Sequence, residues 1–487
     1  MDFDYVPDNL LVPGVYVEFD PSKAYLSPLG INHKIMLFGQ MLSAGTAVAG
    51  EAIRLFRVED AEEKFGVGSQ LAEMARASFG ANSFTERWFM PLSDNAAGQA
   101  ATGTVTMGGT VTAAGTLNLW IGGRRVQVGV ASGAALADIA SDLVTAIAAD
   151  TRLAVTAAAV DAVVTLTAKH KGLWTNDLDI RVNYYSDEKL PAGLTATVVA
   201  MSGGTANPDL TAAISALGDR HFQYYIMPYT DAANLTAMEN ELSDRWGPLR
   251  PYDGIMFSAV PGTSGAASAV GDSRNSPHSV ILGCGKTPTR PDQVAAIVGS
   301  VAGYNLNLDA ARPLTNLPLK GMLPPKELDR FTFSERNTLL YDGVSTFIVD
   351  DGGNCLIERL VTTYNVNSLG VDDYAYRDVE DVANLSDFRM QLRAALSNQF
   401  SGYKLASNTT EVQPGAKVAR PIDIWSSIVV LCRGLENLGR LQDVDGFKDD
   451  IVVELDENDD SRVNILLPAK LIAQLRVIAV KVQFRLI

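Results

Sequence analysis

Residues 222–260 read FQYYIMPYTDAANLTAMENELSDRWGPLRPYDGIMFSAV, and this stretch decides the fold class. Phe222 to Met227 is a short apolar run rich in aromatic residues, the composition of a buried strand. Ala232 to Trp246 then carries Leu235, Met238 and Leu242 at helical spacing, and Gly254 to Val260 returns to a strand. A helix between two strands implies a βαβ unit and hence a largely parallel sheet. Downstream the alternation continues through a small-residue helix, a strand at Val280 to Leu282 and a helix at Asp292 to Leu306. Upstream, Lys34 to Gly39 reads as a buried strand. Val58 to Phe65 and Ser69 to Phe79 are helical, with Leu71, Met74, Ala75 and Phe79 on one side and Ser69 as N-cap. Arg87 to Leu92 is a further strand, interrupted near its end by Pro91. The α/β domain is therefore expected in two pieces, 34–96 and 206–330.

Between those pieces the composition changes abruptly to Ala, Thr, Val and Gly. Asn95-Ala96-Ala97-Gly98 and Ser202-Gly203-Gly204 bracket the change. Alternating runs at Thr104 to Thr106, Leu117 to Ile121, Val126 to Val130 and Val163 to Thr167 predict strands. Ala134 to Ala148 predicts one amphipathic helix, with Leu136, Ile139, Leu143, Val144 and Ile147 on its apolar side. Small residues at both borders suit a domain insertion, so 97–205 is read as an inserted, surface-exposed β-rich domain. From 331 to 487 a C-terminal α+β domain is expected. It holds strands at Thr346 to Val349 and Cys355 to Arg359 around Asp350-Asp351-Gly352-Gly353, and helices at Val382 to Phe400 and Ile422 to Leu441. A second hairpin follows, Ile451 to Leu455 with Val463 to Leu467. The fold class is thus multidomain α/β: a core sheet with helices, an inserted β-rich domain, and a C-terminal α+β domain with extended terminal β arms.

Those arms end the chain on both sides. Ile478, Val480, Val482, Phe484 and Leu486 alternate with Lys481, Gln483 and Arg485, and Val15, Val17 and Phe19 alternate within the N-terminal arm, 1–33. A terminal strand offers unpaired backbone groups to any open sheet edge. Spacing alone leaves two pairings open, with another copy or within one subunit.

The formal charge of −16, from 40 basic and 56 acidic residues, argues against a protein that grips phosphate backbones and suits a particle that repels stray copies. At 487 residues and 47% hydrophobic composition, several cores are expected. Cys284, Cys355 and Cys432 lack any Cys-x-x-Cys spacing and read as buried thiols. The acidic start, Met1-Asp2-Phe3-Asp4, does not resemble a signal peptide, and no apolar stretch reaches membrane-spanning length. An intracellularly made protein without membrane insertion is expected.

Three motifs touch on chemistry, and each lacks a required part. Gly283-Cys284-Gly285-Lys286-Thr287 resembles the end of a phosphate loop, but position 280 is valine and Pro288 and Pro291 oppose a following helix. Gly271-Asp272-Ser273 resembles an esterase nucleophile block within a loop-like stretch, with no Asp-x-x-His block downstream. Asp456-x-Asn458-x-Asp460 starts like a calcium loop but has Ser461 and Leu467 where Gly and Glu belong. Four scattered histidines form no transition-metal cluster. No catalytic residue, metal or cofactor is expected, and a structural role gains weight.

The order of several blocks resembles the contractile tail sheath proteins of Mu-like bacteriophages. The carrying residues are Val12-Pro13-Gly14-Val15-Tyr16-Val17-Glu18, Phe65-Gly66-Val67-Gly68-Ser69-Gln70-Leu71-Ala72-Glu73-Met74, Phe222-Gln223-Tyr224-Tyr225-Ile226 and Pro251-Tyr252-Asp253. Gly434-Leu435-Glu436-Asn437 and Val452-Val453-Glu454-Leu455 with Arg462-Val463-Asn464 complete the set. The resemblance covers nearly all of the chain outside 97–205. It implies a non-enzymatic subunit of stacked hexameric rings around a tail tube, whose contraction drives the tube through the host envelope. The implied partners are further copies of itself, the tube protein, and baseplate and tail terminator proteins, without nucleic acid. The implied location is the virion, after synthesis and assembly in the bacterial cytoplasm. It also implies that the arms pair with the C-terminal hairpin of another subunit, here Val452, Glu454, Val463 and Ile465, which decides the open question above. Arg433 and Arg440 on the helix 422–441 are candidate tube contacts, against the plainer reading of a solvated helix face. The alternatives are a sheath subunit of a phage-tail-like secretion or killing particle and, from another class, a soluble α/β hydrolase using Ser273.

Overall fold

The computed structural model describes residues 33–413 and 415–485. The chain divides into two compact units, Asn32–Ala383 and Asn384–Ile487. In the first unit the elements up to the insertion are β1 (Lys34–Gln40), β2 (Ile53–Arg54), α1 (Val58–Phe65), α2 (Gln70–Ala81) and β3 (Glu86–Leu92). The insertion holds β4 (Thr102–Gly109), β5 (Gly115–Ile121), β6 (Arg124–Val130), α3 (Leu136–Ala149), β7 (Val155–Val160), β8 (Val163–Ala168), β9 (Ile180–Val182) and β10 (Leu194–Ser202). Then come α4 (Thr211–Leu217), β11 (Tyr224–Ile226), α5 (Ala232–Trp246), β12 (Ile255–Pro261), α6 (Ser264–Asp272), β13 (Ser279–Gly285), α7 (Pro291–Leu308), α8 (Phe333–Tyr341), β14 (Val344–Val349) and β15 (Cys355–Arg359).

Eight strands form one sheet in the order β15-β14-β13-β12-β11-β1-β3-β2. The six from β14 to β3 are parallel, and only the edge strands β15 and β2 run antiparallel. One face carries Ile35, Leu37, Tyr224, Phe257 and Val280 against α2 and α7. Alternation sends Met36, Phe38, Tyr225 and Met256 to the other face. Helix α7 lies close to the sheet because two positions lack a side chain. A Cβ on Gly299 would meet Ile226 Cγ1 at 2.8 Å, and one on Gly303 would meet Tyr224 Cδ2 at 2.9 Å. Pro291, expected to oppose a helix, is the first residue of α7, where a missing N–H is tolerated. Pro91 does not interrupt its strand: β3 pairs with β1 through Leu92.

The expected domain boundary at 330/331 moves. Strand β14 pairs with β13 at Ile281↔Val344, so the first hairpin of the expected C-terminal domain 331–487 completes the core sheet, and the unit runs to Ala383. A hairpin motif reads the same whether it stands alone or extends a sheet, so local sequence does not settle where it docks. The insertion leaves after β3 and returns before α4. Its neck is closed by an antiparallel bridge, Gln99↔Thr205. It forms a four-stranded sheet, β10-β4-β8-β7, and a three-stranded sheet, β6-β5-β9, with α3 packed on β6, β7 and β8. Its apolar residues, among them Leu117, Leu119, Ile139, Leu143 and Leu166, belong to the same buried cluster as Met36 and Phe38. The insert therefore shares a buried cluster with the α/β sheet.

The second unit contains α9 (Val379–Phe400, which begins at the end of the first unit), β16 (Lys404–Leu405), β17 (Val418–Ala419), α10 (Pro421–Asn437), α11 (Val444–Phe447), β18 (Val452–Leu455) and β19 (Val463–Leu466). Its core joins Ile428, Cys432, Leu435, Leu441, Val444, Phe447 and Ile451, with Val453, Val463 and Leu467 packed on it. Helix α10 is shorter than the expected 422–441. Gly439, at φ +68°, makes the left-handed turn that ends it, and Arg440 N–H donates back to Leu435 O at 2.9 Å.

Candidate functional site

Two places could carry function: the carboxyl edge of the parallel strands, where open α/β sheets hold ligands, and the C-terminal hairpin with its tail. The chain's own insertion packs over the first, leaving a cavity of about 200 Å³ beside Trp174, Asp177, Thr230 and Asp292. Gln40 ends β1, Asp94 follows β3, Gln70 opens α2 and Tyr229 follows β11, so four elements deliver polar groups to one edge. The insertion supplies His170, Lys171 and Trp174. Gln70 N–H donates to His170 Nε2 at 3.1 Å, so the proton sits on Nδ1, which donates to Asp94 Oδ1 at 2.9 Å. Lys171 N–H donates to Asp94 Oδ2 at 3.0 Å, and Gln40 Nε2 donates to Asp94 Oδ1 at 2.6 Å and to Lys171 O at 2.8 Å. Trp174 Nε1–H donates to Gln40 Oε1, and Tyr229 O–H to Gln70 Oε1 at 3.0 Å. Burial pushes the Asp94 carboxyl up, but the bonds from His170, Lys171 and Gln40 outweigh it and hold it below the usual carboxylate range. Arg152 adds a second tie from the insertion, with Nε and Nη2 on the buried Glu73 of α2 at 3.0 and 3.1 Å. A buried network of this kind fixes the insertion on the core.

The motifs with partial chemical resemblance are structural here. Ser273 caps the C-terminus of α6, so the Gly271-Asp272-Ser273 stretch belongs to a helix end and not to a loop, and its hydroxyl donates to Val270 O at 2.8 Å. Lys286 Nζ is paired with Asp329 Oδ1 at 2.8 Å and Thr287 Oγ1 donates to Leu323 O. Asp456 accepts from Asn458 N–H at 2.9 Å and from Asn464 Nδ2 at 2.8 Å within a hairpin turn. Among the described residues no group of three His, Cys, Asp or Glu is arranged to hold a metal ion, and no helix is long and apolar enough to cross a membrane. Cys284, Cys355 and Cys432 are free and buried, and burial pushes each thiol up.

At the C-terminal hairpin, the register pairs Val452↔Leu466, Val453↔Ile465, Glu454↔Asn464 and Leu455↔Val463. Cross-strand partners share a face, so Val463 and Ile465 lie with Val453 and Leu455, while Val452 and Glu454 lie opposite with Leu466 and Asn464. The four expected acceptor residues thus divide between two faces. Val452, Ile465 and Leu466 are exposed, and β18 and β19 form a sheet of two strands. Beyond it the chain is anchored once more. Leu441 bridges Leu471, Gln442 N–H donates to Lys470 O at 3.0 Å and Ile472 N–H to Arg440 O at 3.2 Å.

From 473 to 485 the backbone joins no ladder with any other described residue, and the expected strand Ile478 to Leu486 is described only as far as Arg485. Strands exist only through neighbours, and the alternation encodes readiness for one without providing it. Ile478 is 75% exposed and Phe484 80%, with Val480 and Val482 between these values. Leu486 and the N-terminal positions Val15, Val17 and Phe19 lie outside the described residues.

The candidate tube contacts separate. Arg433 is half exposed and donates to Asp445 Oδ1 at 3.0 Å. Arg440, expected on the same helix face, lies past the Gly439 turn and is directed inward, where Nη1 meets the buried Asp387. Spacing alone missed this because the turn breaks the helical phase between the two arginines.

Residues 203–363 match the phage tail sheath protein central domain and residues 371–485 the phage tail sheath C-terminal domain. A Mu-like prophage FluMu tail sheath protein from Haemophilus influenzae is 38% identical over 484 residues, covering 99% of both chains. The chain belongs to the phage tail sheath family. Its fold is similar to that of the sheath tail protein from Desulfitobacterium hafniense, with a TM-score of 0.50 and 14% identity, over 94% of this sheath protein and 97% of that chain. The sheath tail protein Lin1278 from Listeria innocua gives a TM-score of 0.49 and 16% identity, over 93% and 94%.

Proposed function

We propose that this chain is a non-enzymatic structural subunit of a contractile phage tail sheath. It polymerises as stacked hexameric rings around the tail tube, between baseplate and tail terminator proteins, after assembly in the bacterial cytoplasm, and drives the tube through the host envelope on contraction. The terminal arms link copies by strand addition to the β18–β19 hairpin. The observation that carries this reading is the tail itself: apolar residues, alternating from Ile478 on, that stay three-quarters or more exposed beyond an anchored residue, Ile472. A two-stranded sheet is marginal alone and gains from an added strand. The described tail beyond Ile472 is 13 residues, and extended at roughly 3.3 Å per residue it spans about 43 Å, enough to reach a neighbouring subunit. Main-chain bonds would supply affinity and the apolar alternation the register.

The test is a chain ended after Gln474, with Val482→Asp, Val480→Pro and Gln483→Asp in the full chain. Truncation and Val480→Pro are expected to abolish polymer in sedimentation and electron microscopy while circular dichroism and melting of the monomer stay unchanged. Val482→Asp is expected to weaken assembly more than Gln483→Asp, because it places an unpaired carboxylate on the apolar face. Long tubes from the truncated chain would refute strand linkage, and an unfolded truncated monomer would place the segment in its own subunit's core.

A further inference from the structure

The seam between insertion and core holds a cleft of about 380 Å³. Arg124 and Arg152 reach it from the insertion, Arg76 and Lys320 from the core, and the only carboxylate in its lining is Glu73. Glu73 is engaged by Arg152, Arg124 donates from Nε and Nη2 to Asp150 at 3.0 and 2.6 Å, and Arg76 pairs with Glu62. Counting those three carboxylates against the four cations still leaves the cleft positive, on a chain whose formal charge is −16. Gly80, Gly122, Gly123 and Gly321 line it without side chains, so the guanidinium groups and the exposed Lys320 stay approachable. Such a cleft is too small for a folded domain and suits the carboxylates of a protruding loop.

Among the described residues, one protruding loop that presents several carboxylates together is the end of the β18–β19 hairpin. The tip of the β18–β19 hairpin is Asp456-Glu457-Asn458-Asp459-Asp460. Asp456 and Asp459 are engaged by their own turn, through Asn458 N–H, Asn464 and Ser461. Glu457 and Asp460 are exposed at the end of it. We propose that the cleft at the insertion–core seam receives the acidic hairpin tip of a second copy of this chain, making a charge-dependent contact between subunits. The inference rests on the self-assembly reading above but not on strand addition: the tip is a different part of the hairpin from the strand edges, so the two contacts use different groups. Opposite charge at such a contact sets register and rejects wrong neighbours.

The experiment is a charge exchange in the full chain, read as the critical concentration for polymer in sedimentation at 50 and 500 mM NaCl (roughly a fourteen-ångström against a four-ångström screening length). Lys320→Glu alone, and Glu457→Lys with Asp460→Lys, are each expected to raise the critical concentration roughly tenfold at low salt and much less at high salt. The chain carrying all three changes is expected to return to within about threefold of wild type. Unchanged single variants, or a triple variant as poor as its separate defects combined, would overturn the contact. A Lys320→Glu monomer that melts markedly lower would also overturn it, by placing the lysine in its own fold. If wild-type chain forms no polymer at all, the self-assembly reading fails first.

Discussion

His278 makes a pH-dependent stability prediction that can be worked from the structure. The ring is buried just before β13, 5.0 Å from the Trp246 ring, and its backbone carbonyl accepts from Met256 N–H at 2.7 Å, which fixes the residue in place. Burial disfavours the imidazolium and pushes the ring down to about 4, from an ordinary value of 6.5. Between those values the unfolded chain binds a proton that the folded chain rejects. Stability from this residue is therefore complete above pH 6.5 and is lost as the pH falls toward 4. A separation of that size corresponds to about 3 kcal/mol. His278→Gln removes the titration while keeping a polar side chain of similar size. Denaturant unfolding followed by tryptophan fluorescence, with Trp246 beside the site, should show the variant gaining about 2 to 3 kcal/mol relative to wild type between pH 7.5 and pH 4.5. Other titrating groups act in both proteins and cancel in the difference. A difference that stays constant across this range would refute the reasoning.

The two arginines once paired by helical spacing should behave unlike each other. Arg440→Ala removes a cation from the buried Asp387 and should lower the melting transition of the C-terminal unit, whereas Arg433→Ala removes an exposed pair and should cost less than about 1 kcal/mol. A tube contact through Arg433 would appear only as altered tube-templated assembly at low salt. Deleting 98–203 with a short Gly/Ser link across the Gln99–Thr205 neck should leave a folded core by circular dichroism. It should melt below the full chain and bind a hydrophobic dye, because it strips the cover from Gln40, Glu73 and the apolar cluster beneath.

The strand–helix–strand run at 222–260 and the N-cap at Ser69 were legible because their signals are local. Periodicity and capping are written within a turn or two of chain. Alternation likewise announced β5, β6 and β8. It did not announce β7, whose Val155-Thr156-Ala157-Ala158-Ala159-Val160 offers little contrast between faces, or the long β10, which pairs with β4 across most of the insertion. The network joining Gln40, Gln70, Asp94, His170 and Trp174 was invisible in the sequence. Its members lie up to 134 positions apart and form no motif with one another, so only the return of the insertion over the strand ends brings them together.

By itself the sequence determined most of the helices and strands, that the core is α/β, and that alternating apolar runs stand near both termini. Tertiary structure decided which sheet each strand joins, so that β14 and β15 complete the core sheet, and that the insertion shares that core. It also decided that Gly439 turns Arg440 inward to Asp387. The physical reason is the same throughout. Backbone preferences and side-chain periodicity act over a few residues, whereas burial and hydrogen-bond satisfaction depend on which distant surfaces meet. The tail from Ala473 to Arg485 shows the limit most plainly, since its alternation is fixed in the sequence while a partner edge is not.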